Sequence, residues 1–238
     1  MGSIFKFKKF SVDQSGCAMR INTDGVLLAA VAEQVNPSQI LDIGTGTGVI
    51  ALMMAQRFPA AAVDAVEIDE SASLTARANF EASDFASRSA VYHTAIEDFS
   101  IDKSYDLIIS NPPYFVNDLK NPEKRKEIAR HADEQFFEAL LSKVANLLSA
   151  KGLFWVILPV KQAEMLAVKA TDLNLSVQKQ IDICSDGSKP VIRHVLCISR
   201  SSAFTDQTKQ HDTFYIYESQ GIYTPAYRLL LKDFFLAF

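Results

Sequence analysis

Three groups of residues in this chain of 238 have types and spacing suited to chemistry. The first is a glycine cluster: of nine glycines, three fall within five residues, at Gly44, Gly46 and Gly48. Glycines so placed let a chain turn tightly and let a ligand approach the backbone where a side chain would collide. Asp42 stands just before the cluster, and Glu67 closes the next apolar run. The second group is Asn111-Pro112-Pro113-Tyr114, a polar, rigid tetrapeptide. Two prolines lock φ and remove two donors, so nearby carbonyls have few competing local partners. The third is a basic stretch, Asp118 to His131, with Lys120, Lys124, Arg125, Lys126 and Arg130 against Asp118, Glu123 and Glu127.

Elements of regular period hold these groups in place. Ile40 to Ile43 reads as a short apolar strand and Val49 to Arg57 as a helix, so the glycines form a strand-to-helix turn. The helix start beyond offers free N–H groups. Further strands are expected at Ala61 to Ile68, Ala90 to Thr94, Tyr105 to Ser110 and Leu153 to Leu158, with helices at Val26 to Val35, Ser71 to Ser83 and Asp133 to Leu148. After residue 175 the rhythm changes. Ser176 to Cys184 and Val191 to Arg200 flank Ser185-Asp186-Gly187-Ser188, a hairpin signal. Strands alternating with helices imply a parallel sheet covered on both faces. The expected fold is α/β and doubly wound, with a seven-stranded, mostly parallel sheet and an antiparallel hairpin at its edge. One domain spans 1–238: an N-terminal extension over 1–22, a core over 23–200 and a C-terminal extension over 201–238.

In such sheets ligands sit at the carboxyl ends of the strands, near the topological switch point. That brings the glycine turn, Glu67 and Asn111 to one end of the sheet. Glu67 is placed to accept hydrogen bonds from ribose hydroxyls. The glycines alone do not name the ligand. Gly46-Thr47-Gly48-Val49-Ile50-Ala51 formally matches G-x-G-x-x-A, so a nicotinamide or flavin enzyme stays in view. Asp42 favours a different nucleoside, because a carboxylate there would repel a pyrophosphate and could face an ammonium group.

Asp42 to Gly48 taken with Asn111 to Tyr114 resembles the class I S-adenosylmethionine-dependent methyltransferases, Rossmann-like enzymes, that modify a planar nitrogen. The resemblance implies that the Asn111 side-chain oxygen and the Pro112 carbonyl accept hydrogen bonds from the target amine. It implies that Tyr114 stacks on the amine's plane, with Pro113 completing the motif. An exocyclic adenine amine is a poor nucleophile because its lone pair is delocalised into the ring. Two fixed acceptors orient it and offset charge developing on nitrogen. Neither a metal nor a general base is called for. Two groups share the motif: one methylates adenine N6 in nucleic acid, the other a glutamine amide (N5) in release factors.

Longer stretches are similar to the YfiC-like tRNA (adenine-N6)-methyltransferases, which modify adenine 37 beside the anticodon of a valine tRNA. They are residues 5–28, Ala129-Arg130-His131, and the tail from Gly221 to Phe234. The resemblance places Thr23, Asp24 and Gly25 near the cofactor, and Asp98, after the third strand, by the cofactor's adenine. Cofactor contacts are thus expected from Thr23, Asp24, Asp42, Gly44, Gly46, Gly48, Glu67, Asp98 and Asn111. Substrate contacts are expected from Phe115, Lys124, Arg125, Lys126, Arg130 and His131, with Lys6, Lys8 and Lys9 adding positive surface. A target adenine in an anticodon loop is already single-stranded, so its extrusion costs less than from a duplex. The same basic residues also fit a solvated loop and helix start.

Composition sets outer bounds. At 48% hydrophobic and 22% charged the chain is an ordinary globular sequence, not a disordered or fibrous one. A net charge of −4 argues against a protein coated in positive charge for nucleic-acid binding but does not exclude a local basic patch. The three cysteines, Cys17, Cys184 and Cys197, read as buried reduced thiols. No apolar run reaches the ~18 residues of a membrane span, and the start lacks a secretory pattern. A cytoplasmic monomer is expected.

Overall fold

A computed structural model describes residues 4–17, 19–113, 122–201 and 209–238; between 122 and 133 it describes the backbone alone. A short hairpin, β1 (Ile4–Lys6) and β2 (Ser11–Asp13), precedes helix α1 (Thr23–Val31). Strand and helix then alternate through β3 (Gln39–Ile43), α2 (Val49–Arg57), β4 (Ala62–Glu67) and α3 (Glu70–Glu81). Next come β5 (Ser89–His93), β6 (Tyr105–Ser110), α4 (Pro122–Leu147), β7 (Leu148–Leu158) and α5 (Val160–Asp172). The chain finishes with β8 (Leu175–Cys184), β9 (Val191–Arg200), β10 (Gln210–Tyr215), β11 (Tyr217–Ser219), β12 (Ile222–Tyr223) and α6 (Pro225–Leu231).

The central sheet runs β10-β8-β9-β7-β6-β3-β4-β5. The five strands from β7 to β5 are mutually parallel, and β9 runs antiparallel to both β7 and β8, so that β8 points the same way as the five. Both faces are covered, which is why Leu153 to Leu158 of β7 is apolar without a break. Trp155 and Ile157 point into one core, with α1, α2 and α6. Phe154, Val156 and Leu158 point into the other, with α4 and α5. The chain turns back after β5 to place β6 beside β3, so the switch point lies between the carboxyl ends of β3 and β6.

The sheet has eight strands where seven are expected. β10 pairs in parallel with β8, so the β8–β9 hairpin is not the edge. Its sequence, QHDTFY, is polar and largely exposed, which removes the apolar signal that marks a strand. Helix α4 begins at Pro122, not Asp133, so residues 122–131 of the expected loop are helical backbone. Proline is favoured at a first helical position, and the Glu- and Lys-rich turns that follow form helix without an apolar stripe. Helix α1 stops at Val31, short of Val35. Ala32 turns extended, at φ −62° and ψ 126°, and Asn36 at φ 45° before Pro37 keeps the chain from returning to helix. Strand β7 starts five residues early, at Leu148, passing Gly152, where a Cβ would lie 2.7 Å from the Tyr105 carbonyl oxygen.

The N-terminal hairpin packs on the C-terminal segment. Phe7 bridges to Phe235, and the backbone N–H of Lys8 donates to the Phe234 carbonyl at 2.8 Å. The Lys8 ammonium donates to the Phe238 carbonyl oxygen at 2.7 Å, so this lysine of the expected basic surface is tied to the C-terminal segment. No helix among the described residues is long and apolar enough to cross a membrane.

Candidate active site

A cleft of about 530 Å³ opens at the carboxyl ends of β3, β4 and β6. The glycine turn forms one wall. Gly44 and Thr45 donate their N–H groups to the Val66 carbonyl at 2.8 and 3.1 Å, strapping the turn to the end of β4. Gly44 and Gly46 have φ of 72° and 55°, a region other residues avoid, and a Cβ on either would project into open space. Both line the cleft. Gly48 differs: a Cβ there would lie 2.8 Å from Phe80 Cε1, so it gives close packing of the turn on α3.

Glu67 lines the cleft at the end of β4 and is 8% exposed. Its Oε2 accepts from the Gly46 N–H at 2.8 Å and its Oε1 from the Asp69 N–H at 2.9 Å. Both oxygens are thereby fixed, yet each keeps a second lone pair for a ligand hydroxyl. Asp42 lies beneath the turn, fully buried and outside the cleft lining. Its Oδ2 accepts from Thr45 Oγ1 at 2.6 Å and from the Ala51 N–H at 3.2 Å, pinning the turn to the start of α2. Its Oδ1 has no hydrogen-bond partner.

Burial pushes the Asp42 carboxyl up to about 7, against the lowering effect of its bonds from Thr45 and Ala51. With an unfolded value near 3.8 the folded state binds more protons between the two values, so this group's contribution to stability falls as pH rises from about 4 to about 7. Asp42→Asn is expected to flatten that decline. Urea unfolding at a series of pH values reads it, and an unchanged slope would assign the decline to other groups.

β6 delivers the opposite wall. Ser110 Oγ donates to the Ile43 carbonyl at 2.8 Å, tying the ends of β6 and β3. Asn111, Pro112 and Pro113 then line the same cleft as Gly44, Gly46 and Glu67. Tyr114 and Phe115 lie outside the described residues. Lys124, Arg125, Lys126, Arg130 and His131 fall on the first turns of α4, and their side chains too lie outside the description. Asp98 is exposed and its neighbours Ile96 and Glu97 line the cleft instead. Thr23 is exposed, and Asp24 accepts a hydrogen bond from Arg193 Nε at 2.7 Å; neither is in the lining.

Other contributors have no local signature. Cys17 and Met19 bring the N-terminal segment to the cleft, and Phe136 of α4 closes it from another side. Cys17, expected as a buried thiol, is only partly buried, unlike Cys184 and Cys197. Asn79 of α3 is 4% exposed. Its Nδ2 donates to the carbonyls of Asp13 and Thr47 at 2.8 and 2.9 Å, and its Oδ1 accepts from the Asp13 N–H at 2.8 Å. One amide thus clasps the N-terminal hairpin and the glycine turn together. Asn79→Ala is expected to weaken S-adenosylhomocysteine binding about tenfold, within the 1–3 kcal/mol lost when buried partners are orphaned. Calorimetry decides; a lowered melting temperature with unchanged affinity would make the clasp purely structural.

The cleft suits a nucleoside, and Asp42, expected to face an ammonium group, is not in its lining. Apolar walls from Ile43, Val66, Ile68 and Ile96 can hold a base, Glu67 can take ribose hydroxyls, and the open space above Gly44 and Gly46 admits a ligand against backbone. The fold agrees with solved methyltransferases. An Agrobacterium tumefaciens protein described as a predicted O-methyltransferase superposes with a TM-score of 0.69 at 17% identity, covering 89% of this chain and 96% of its own. A ribosomal protein L11 methylase from Lactobacillus delbrueckii gives 0.57 at 18%, covering 79% and 83%. The model of the methyltransferase small domain family matches residues 17–171. The family match, taken with the fold, therefore defines a class I methyltransferase, with S-adenosylmethionine as cofactor.

More similar relatives narrow the class. A tRNA1(Val) (adenine(37)-N6)-methyltransferase from Pedobacter heparinus is 57% identical over 238 residues, all of both chains. One from Trichodesmium erythraeum is 41% identical, covering 100% of this chain and 99% of its own. The chain belongs to the family of tRNA1(Val) (adenine(37)-N6)-methyltransferases.

Proposed function

We propose that this chain transfers the methyl group of S-adenosylmethionine to the exocyclic N6 amine of adenine 37 in a valine tRNA. The observation that carries this reading is one cleft lined by both Asn111-Pro112-Pro113 and the Gly44–Gly46–Glu67 wall. Full-length likeness to tRNA1(Val) methyltransferases supplies the substrate.

When bound, S-adenosylmethionine supplies an electrophilic methyl on a sulfonium. The protein's own residues do the rest by holding groups in place. Asn111 Oδ1 and the Pro112 carbonyl oxygen would accept the two hydrogens of the amine, orienting the nitrogen lone pair out of the adenine plane. The same acceptors would offset positive charge as the N–CH3 bond forms and the S–CH3 bond breaks, with S-adenosylhomocysteine leaving and the surplus proton of the amine passing to water. Tyr114 would stack on the adenine, and Glu67 would fix the cofactor ribose. Thr23, Asp98, Gly48 and Asp42 lie around rather than on the cleft lining, so their contribution to cofactor binding would run through the shape of its walls. Phe115 and the basic start of α4 (Lys124, Arg125, Lys126, Arg130, His131) are proposed to meet the tRNA. The chain would act in the cytoplasm, where its substrate is, as a monomer and without a metal.

Purified protein, labelled cofactor and two acceptors test this: total tRNA from a strain lacking the gene, and release factor. Label in N6-methyladenosine after digestion of the tRNA is expected. Label in release factor alone would overturn the tRNA reading in favour of glutamine methylation. Calorimetric binding of NAD in preference to S-adenosylhomocysteine would instead point to an oxidoreductase.

A further inference from the structure

The first turn of α1 lies against Asn111. Asn22 caps that turn, its Oδ1 accepting from the Gly25 N–H at 2.9 Å. A Cβ built on Gly25 would stand 3.5 Å from Asn111 Nδ2, 3.4 Å from Ile50 Cδ1 and 3.6 Å from Asn22 Oδ1. A methyl fits there at ordinary contact; anything larger meets the Asn111 amide. The same turn is anchored from across the molecule. Arg193 Nε, on β9, donates to Asp24 Oδ2 at 2.7 Å, and the two side chains are 29% and 20% exposed. β9 and β6 both flank β7, so this ion pair fixes α1 to a strand of the sheet that carries Asn111.

We infer that the Asp24–Arg193 pair and Gly25 are positioning residues: they set the first turn of α1 as the back wall that holds the Asn111 amide toward the cleft. The inference rests on the role proposed above for Asn111. It gives Asp24 a different task from that of a cofactor ligand. Asp24 outside the cleft lining and Gly25 against the amide are the observations behind it. Small displacements of an orienting group can cost about 10²-fold in rate.

The test uses the full chain with tRNA and S-adenosylmethionine. Asp24→Ala and Arg193→Ala are each expected to lower kcat about tenfold, and Gly25→Val about a hundredfold, with Gly25→Ala the milder change. S-adenosylhomocysteine affinity should stay within about twofold throughout, since the wall and not the cofactor contacts is disturbed. The double variant Asp24→Ala/Arg193→Ala is expected to be no worse than either single one. The exchanged pair, Asp24→Arg with Arg193→Asp, is expected to recover activity. A second readout is independent of turnover: the side-chain amide NMR signal of Asn111, identified by its loss in Asn111→Ala, moves in Arg193→Ala. Asp24→Ala weakening the cofactor while Arg193→Ala does not would overturn the inference, as would full kcat with an unmoved Asn111 signal. An inactive wild type on tRNA whose Asn111 signal still moves in Arg193→Ala would sink the tRNA reading and leave the positioning role standing.

Discussion

Asn111→Ala is expected to lower methyl transfer to tRNA by about 10²–10³-fold, the usual cost of removing one preorganised group from a developing charge. Cofactor affinity should survive. Asn111 stands at the end of β6, on the wall facing the glycine turn, and the turn itself is held by Val66, Glu67 and Asp42 through bonds that do not involve it. The separation of effects is the informative part. Calorimetry with S-adenosylhomocysteine reads binding, and a single-turnover assay reads the chemical step. A parallel fall in both would mean that Asn111 shapes the cofactor site and orients nothing.

The opposite separation is expected at Glu67. Its two oxygens each accept a backbone N–H, from Gly46 and from Asp69. Glu67→Gln keeps one acceptor but turns an NH2 toward the other donor, so one of the two bonds must break. Ligand hydroxyls lose a charged acceptor at the same time. Hydrogen bonds to charged groups contribute about 1.5–3 kcal/mol each, so cofactor affinity should drop about a hundredfold. At saturating cofactor kcat should change far less, because the Asn111 wall is untouched. A large loss of kcat at saturation, with affinity retained, would show that Glu67 had been given the wrong task. On the proposed reading the Glu67 wall holds the cofactor and the Asn111 wall aims the amine.

The parts of this arrangement that could be read in the sequence are those whose meaning is local. The glycine turn declares itself because strand, glycines and helix are contiguous, and Glu67 because it ends the next strand. Asn111-Pro112-Pro113 was legible for the same reason. Residue types did not reveal which way side chains face. Asp42 and Gly48 lie in the same turn as Gly44 and Gly46, yet one is buried beneath it and the other packs on Phe80. Asp98 and Glu97 are adjacent acids, and only Glu97 lines the cleft. Contacts between distant segments were invisible altogether. Asn79 joins α3 to residues 13 and 47, and Arg193 reaches Asp24 from the far end of the chain. No period or motif marks either. Where burial is weak, single elements escape the sequence while the α/β fold does not: β10 is polar and the first turns of α4 are charged, so neither carries the apolar rhythm that reveals a core-facing element.

The most direct measurement is the position of the new methyl group. Valine tRNA from a strain lacking the gene is treated with the purified protein and S-adenosylmethionine, then cut with a base-specific nuclease and mapped by mass spectrometry. One added methyl on the fragment carrying adenine 37, lost with Asn111→Ala, is the predicted result. A methyl at another position, or on no fragment while the protein binds S-adenosylhomocysteine, would contradict it.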